Sequence, residues 1–384
     1  MRTLLATSIT LALLLAAAMP ALAGNGTPAN TASANVLTLA VFGDAPYGKT
    51  PADTSELEAT PAFIASVNAD PAVDLVVHVG DIHSGKQYCT EAYNRTVFGL
   101  WTGFKDPLVY TPGDNEWSDC HKKAEGGGVW NPVTHVIDYV LDGNNQPMDY
   151  AGGDPIANLD LVRSIFFPRP GYTLGSRSKE VFSQANYFDA ASHPTDGNYL
   201  ENVLWAQSRV VFVTLNVPGG SNNDKDIWYG APVASAAQLA ETEQRTGADL
   251  RWLDQAFALA QGDRDIQAVV IIVQADMWDP EKGAAHQAGY EPLVQAIDAH
   301  TTAFGKPVLL LNGDSHEYLS DNPLSASDPL HYMHPAYDVP NFHRVVVHGS
   351  TFPLEWMRLT VDPRANAPQG AETFGPFRWT RVMP

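Results

Sequence analysis

The sequence predicts a layered α/β fold, with mixed β-sheets flanked by helices in a single large domain that carries one insertion. Three observations lead there. Apolar, β-branched runs of strand length recur as continuous stretches, which indicates strands covered on both faces. Helical spacing of apolar residues lies between several of them. The chain has 384 residues, 45% hydrophobic and 17% charged, so it has enough apolar surface to bury a large core.

Residues 1–23 open with Arg2, run apolar from Leu4 to Ala18 and reach Ala21-Leu22-Ala23, the small-x-small pattern of a signal-peptidase site. We read them as a signal peptide, because the apolar core falls short of the ~20 residues a membrane span needs. Residues 24–36 read as a flexible tether. No later apolar run is long enough to span, so a secreted or periplasmic protein without a membrane span is expected. In that oxidising setting the two cysteines, Cys89 and Cys120, are expected to pair, with two free thiols as the alternative.

The domain is expected over 37–362. Strands are predicted at Leu37–Phe42, Asp74–Val79, Pro107–Thr111, Arg209–Leu215, Ala268–Val273 and Pro307–Leu311. Helices are predicted at Glu56–Asn68, Thr90–Trp101, Asp249–Ala260 and His286–Ala299. Residues 125–202, rich in Gly, Pro, Asn and aromatics, read as an insertion over the site with short helices at Val133–Leu141 and Leu159–Phe166. Two late runs, His343–Val347 and Leu354–Val361, joined by Gly-Ser-Thr-Phe-Pro, suggest an antiparallel finish, and 363–384 reads as a C-terminal extension.

Net charge is −20, from 23 Lys+Arg against 43 Asp+Glu, which repels phosphate backbones. No basic run offers a local exception, so no nucleic-acid-binding surface is expected. Serine-hydrolase elbows, Walker loops, His-Glu-x-x-His helices and Gly-x-Gly-x-x-Gly fingerprints are all missing from the sequence.

Asp44, Asp81, Asp114, Gln274 and Asp314 each follow a predicted strand directly or within a few residues. Ligands of open α/β sheets bind at that edge. Acids in ordinary turns are the plain alternative, yet several carboxylates converging at one edge would repel unless cations held them.

The order Gly43-Asp44, Gly80-Asp81, Gly113-Asp114-Asn115-Glu116, a mid-chain polar residue after a strand, then Gly313-Asp314-Ser315-His316 resembles the calcineurin-like metallophosphoesterase superfamily. The resemblance runs from about Leu37 to Asp362. It implies a metallophosphoesterase-like fold and a divalent metal centre, with two ions, in which Asp81 bridges and Asp44, Asp114, Gln274, Asp314 and His316 are ligands. The chain departs from the pattern at several points. Pro46 stands in place of a ligand histidine, Ser84 in place of an aspartate, Asp114 in place of an asparagine, and Asn115 where the family's leaving-group histidine belongs. Asp314 replaces one of two late histidines, and only His316 remains.

Carboxylate and amide oxygens suit magnesium, manganese or calcium, whereas imidazole suits zinc or iron. A harder metal set is therefore expected in the site lined by Asp81, Asp114, Gln274 and Asp314. His83 is a candidate for proton transfer, or a histidine hydrogen-bonded in a polar loop, and Asn115 is the second candidate catalytic position. The expected function is hydrolysis of a small-molecule phosphate ester by metal-activated water. A non-hydrolytic binding or structural protein with a degenerate site is the alternative. Oligomeric state is left open.

Overall fold

The computed structural model describes residues 35–223 and 226–383, so the expected signal peptide and most of the tether lie outside the described residues. Two seven-stranded mixed sheets dominate. In the first, Leu37–Phe42, Leu75–His78 and Leu108–Tyr110 run parallel. Trp356–Val361 pairs antiparallel to Leu37–Phe42, with Leu39 opposite Leu359. Three further strands, Phe377–Val382, Thr373–Gly375 and Ala367–Gly370, extend that edge.

In the second sheet, Val210–Thr214, Ala268–Ile272, Val308–Asn312 and Phe342–Val346 are parallel. Leu319–Asp321 flanks them antiparallel on one side, Val203–Gln207 and Phe182–Ser183 on the other.

The continuous apolar runs have a physical reason: alternate side chains enter different layers. Leu37, Leu39 and Val41 meet Phe212, Val270, Ile272, Leu309 and Leu311 in the core between the sheets. Ala40 and Phe42 point the other way, under the helices Ser55–Ala69 and Glu91–Trp101, with Phe63, Val67 and Trp101. Val308 and Leu310 turn outward from the second sheet onto Leu253, Phe257 and Ile297 of the helices Ala236–Gly262 and Glu291–Phe304. The result is four layers, helix on sheet on sheet on helix. Each fully buried Leu, Ile or Phe contributes about 1.5–3 kcal/mol relative to exposure.

Several boundaries differ from the sequence reading. The helix expected at Asp249–Ala260 spans Ala236–Gly262, starting where the Ser235 side chain accepts the Gln238 N–H at 3.1 Å. The helix expected at His286–Ala299 is Glu291–Phe304, ended by Gly305 in a left-handed conformation. Val133–Leu141 is no helix. It holds one arm of a small hairpin, Gly128–Trp130 against Ile137–Tyr139.

The two late runs do not form a hairpin. Phe342–Val346 belongs to the second sheet and Trp356–Val361 to the first, so the intervening turn passes between layers. Residues 363–384 are not an appendage either: Phe377 and Trp379 are buried in the core between the sheets. The Cys89–Cys120 disulfide is formed. Among the described residues no helix is long and apolar enough to cross a membrane.

Candidate metal centre

The parallel strands of both sheets end at one edge, and their exit loops meet in a cleft of about 380 Å³. The strand-end acids Asp81, Asp114 and Asp314 line it, and Asp44 is buried next to Asp81. Asp44 leaves the Leu37–Phe42 strand, Asp81 the Leu75–His78 strand, Asp114 the Leu108–Tyr110 strand and Asp314 the Val308–Asn312 strand. Asp44, Asp81, Asp314 and His316 all have positive φ, at 48°, 62°, 76° and 63°. Left-handed backbone costs roughly 1–2 kcal/mol per residue, and such positions cluster where the surrounding structure enforces a functional geometry.

Glycines make the close approach. A Cβ at Gly313 or Gly349 would overlap the Asp44 carboxylate, and one at Gly113 would overlap Asp81 Oδ1. Those glycines are the small residues of the Gly-Asp pairs seen in the sequence, together with Gly349 from the late turn.

Asp44, Asp81 and His316 offer ligand atoms that all lie within 4.8 Å of one another. Asp44 is fully buried. Its Oδ1 accepts the Asp314 N–H at 3.0 Å and lies 3.5 Å from His316 Nε2. Its Oδ2 is buried without a hydrogen-bond partner. An orphaned buried carboxylate oxygen beside a second carboxylate and an imidazole is the donor set a divalent cation takes, so the residues fit a metal at this position. Partial burial, helped by His348, lowers the His316 pKa to about 4, so its imidazole is neutral and free to ligate at neutral pH.

Asp81 is the most heavily bonded group. Its Oδ2 accepts from Tyr47 O–H at 2.6 Å, Asn115 Nδ2 at 3.0 Å and Gln274 Nε2 at 3.3 Å. Its Oδ1 accepts the Asn115 N–H at 3.3 Å. Burial, with the charges of Asp114, Glu116 and Asp44, raises the Asp81 pKa well above the usual carboxylate range. Burial does the same for Asp44 and, with the charge of Asp114, for Asp314. Asp114 is pushed up to about 7 by burial and the neighbouring Asp119.

Gln274 is brought to this floor, but its oxygen faces away. Oε1 accepts the Gly219 N–H at 2.7 Å, while Nε2 donates to Asp114 Oδ1 at 2.9 Å. In this arrangement Gln274 turns its NH₂ to the two carboxylates and its oxygen to Gly219, unlike the oxygen-ligand role expected from its position. Asp314 lines the cleft, and its Oδ2 accepts the Asp276 N–H at 2.9 Å.

His83 is not brought into the cleft. It is fully buried, with Nδ1 at 3.2 Å from the Ser84 carbonyl and its ring edge-on to Tyr93, and burial lowers its pKa to about 4. The ring does not line the cleft, and its Nε2 is buried without a hydrogen-bond partner. Asn115 does line the cleft, donating to both Asp81 and Tyr47. The disulfide braces it: the Cys89 and Cys120 sulfurs lie 3.3 and 3.5 Å from the Asn115 carbonyl oxygen. Glu116 caps the turn by accepting the Gly113 N–H at 2.7 Å. His121 accepts the Tyr229 N–H at 2.9 Å outside the cleft.

Tyr47 and the cationic rim were missed by sequence reasoning. Tyr47 closes one wall, edge-on to His316 at 5.1 Å between ring centroids. Lys49, Lys86 and Lys282 line the same cleft. They come from three loops far apart in sequence, so no basic run announced them. Residues 125–202 contribute no lining side chain. Instead the Pro155–Phe166 helix packs Val162, Ile165 and Phe166 beneath the first sheet, and Phe182–Ser183 edges the second.

No protein-family model matches the chain, and no curated protein does. Among solved structures it is similar to a purple acid phosphatase from yellow lupin (Lupinus luteus) seeds, with TM-score 0.39 and 13% identity over 86% of this chain and 50% of that one. It is also similar to the 5'-nucleotidase of Candida albicans, with TM-score 0.36 and 10% identity over 90% and 50%. A third likeness is to a 5'-nucleotidase precursor of Thermus thermophilus, with TM-score 0.36 and 14% identity over 91% and 54%. The chain thus spans about half the length of the solved structures it matches.

Proposed function

We propose that the chain is a secreted, divalent-metal-dependent phosphoesterase that hydrolyses a small-molecule phosphate ester. The observation that carries this reading is that Asp44, Asp81 and His316 converge within 4.8 Å, with Asp81 and His316 lining a cleft that Lys49, Lys86 and Lys282 also line. An acidic floor selects a cation, and a cationic rim on a chain of net charge −20 selects an anionic substrate. The order of strand-end motifs supports the same reading. So do the signal-like residues 1–23 and the Cys89–Cys120 disulfide for export.

A divalent cation at this position would polarise a phosphoryl oxygen and lower the pKa of a water it binds. The chain's own residues do the positioning. Asp44, Asp81 and His316 would hold the cation, and the Asp314 N–H orients Asp44 through Oδ1. Tyr47 and Asn115 fix the rotamer of Asp81 through Oδ2. The three lysines attract and orient the substrate's phosphate as mobile point charges.

One observation favours the second reading, a non-hydrolytic binding protein: Asp81 already has four hydrogen-bond donors from Tyr47, Asn115 and Gln274. Hydrolysis of aryl phosphate mono- and diesters, assayed with Mg, Mn, Ca and Zn in turn, separates the two. Metal-dependent turnover lost in Asp81→Ala supports the enzyme; metal binding without turnover under any metal supports the binding protein.

A further inference from the structure

Resting on the proposed metal site, we infer that this chain holds a single cation, and that the Gln274 carboxamide occupies the place where a second one would sit between Asp81 and Asp114. Three observations place it there. Gln274 is fully buried. Its Nε2 points between the two carboxylates, at 2.9 Å from Asp114 Oδ1 and 3.3 Å from Asp81 Oδ2. Its Oε1 is taken by the Gly219 N–H at 2.7 Å. The two amide hydrogens thus carry partial positive charge into the space between the acids and repel a metal ion entering it.

The amide is held against turning over. Reversing it would leave the Gly219 N–H facing an NH₂ and so cost that buried bond. The side chain is also confined by backbone: a Cβ at Gly80 would stand 2.5 Å from Gln274 Cγ, and one at Gly113 2.7 Å from it. Gly219 is itself fixed by the loop it opens. Arg245, fully buried, donates to the Asn216 carbonyl at 3.1 Å and the Asn222 carbonyl at 2.9 Å and is paired with Glu241 at 2.7 Å.

The first position keeps one oxygen free of donors, although its Asp81 also accepts from Gln274 Nε2. Asp44 Oδ2 is buried and unpartnered, and His316 presents Nε2 to Asp44 Oδ1. One position therefore has an open lone pair and the other is closed by a donor.

The test is the stoichiometry of Mn²⁺ on the purified mature protein, by elemental analysis and electron paramagnetic resonance, with Gln274→Glu and Asp44→Asn beside it. Gln274→Glu exchanges the donor for a carboxylate of nearly the same shape. We expect one ion with an uncoupled spectrum in the parent, two exchange-coupled ions in Gln274→Glu, and none in Asp44→Asn. Two coupled ions in the parent, or no rise in a folded Gln274→Glu variant, would overturn the inference while leaving the metal site standing. No ion in the parent would overturn the metal site and the inference with it. If Gln274→Glu fails to fold, the parent count still decides.

Discussion

Asp44 has one oxygen engaged and the other bare, and this asymmetry sets what substitution there will do. Asp44→Asn keeps the shape but brings an NH₂ or a neutral oxygen to the bare position, so cation affinity should fall at least about 10-fold by calorimetric titration. His316→Ala, which removes the only imidazole of the cluster, should do the same. His83→Asn, by contrast, should leave cation affinity within a few-fold, because the ring lies outside the cleft.

The pH dependence follows from the same carboxylates. Burial and mutual repulsion raise the pKa of Asp44 and Asp81 in the folded chain, and Asp114 reaches about 7. A raised carboxyl is favoured protonated, so its contribution to folding is full below the unfolded value near 4 and is lost as pH rises through the folded value. A cation competes with those protons and gains as they leave. The rise in Tm on adding Mn²⁺ should therefore grow from pH 5 to pH 8. Buried His78, His83 and His121, each lowered to about 4 by burial, favour the folded state as pH rises, but act equally with and without Mn²⁺ and cancel in the difference.

At the scale of elements, the corner after each parallel strand is the working unit. Gly113→Ala should misplace Asp81, because the added Cβ overlaps Asp81 Oδ1 and stands 2.6 Å from its backbone nitrogen. Overpacking of this kind costs about 1–3 kcal/mol, so both Tm and cation affinity should fall. The disulfide braces the neighbouring corner. Its cysteines are 31 residues apart, and the loop-entropy model gives a loss of about 3–4 kcal/mol for Cys89→Ser with Cys120→Ser, measurable by urea unfolding.

These corners were legible in the sequence, since a parallel strand that ends in Gly-Asp states both the tight turn and the acid. The left-handed backbone of Asp44, Asp81 and Asp314 was not, because Asp tolerates that region without any sequence mark. Tyr47 stands behind Pro46, which cannot ligate, so the pattern shows only a missing histidine while the next residue supplies a hydroxyl to Asp81. The direction of the Gln274 amide depended on Gly219, 55 residues away in sequence, and no local pattern reports that.

At the scale of the molecule, the four layers explain why single runs could be assigned while some pairings could not. Continuous apolar strands mark burial on both faces, so the α/β class was readable. Whether neighbouring runs share a sheet depends on the path of the turn, and here Phe342–Val346 and Trp356–Val361 part into different sheets. The lysine rim is likewise a property of the whole fold, assembled from loops that approach only when both sheets are in place.

The C-terminal strands complete the first sheet. Trp379, 1% exposed, and Phe377, also 1%, sit in the core shared by both sheets. Ending the chain at residue 362 would uncover Leu359 and Met357, and the truncated protein should be insoluble or molten by near-ultraviolet circular dichroism.

The central claim is that the acidic floor of the cleft holds a divalent cation for phosphoester hydrolysis. The most direct measurement is turnover of an aryl phosphate by the purified protein, before and after chelation, with Mn²⁺ restored, and in Asp81→Ala. Turnover is expected that chelation removes, Mn²⁺ restores and Asp81→Ala abolishes. Turnover indifferent to chelation, or retained in Asp81→Ala, would contradict it.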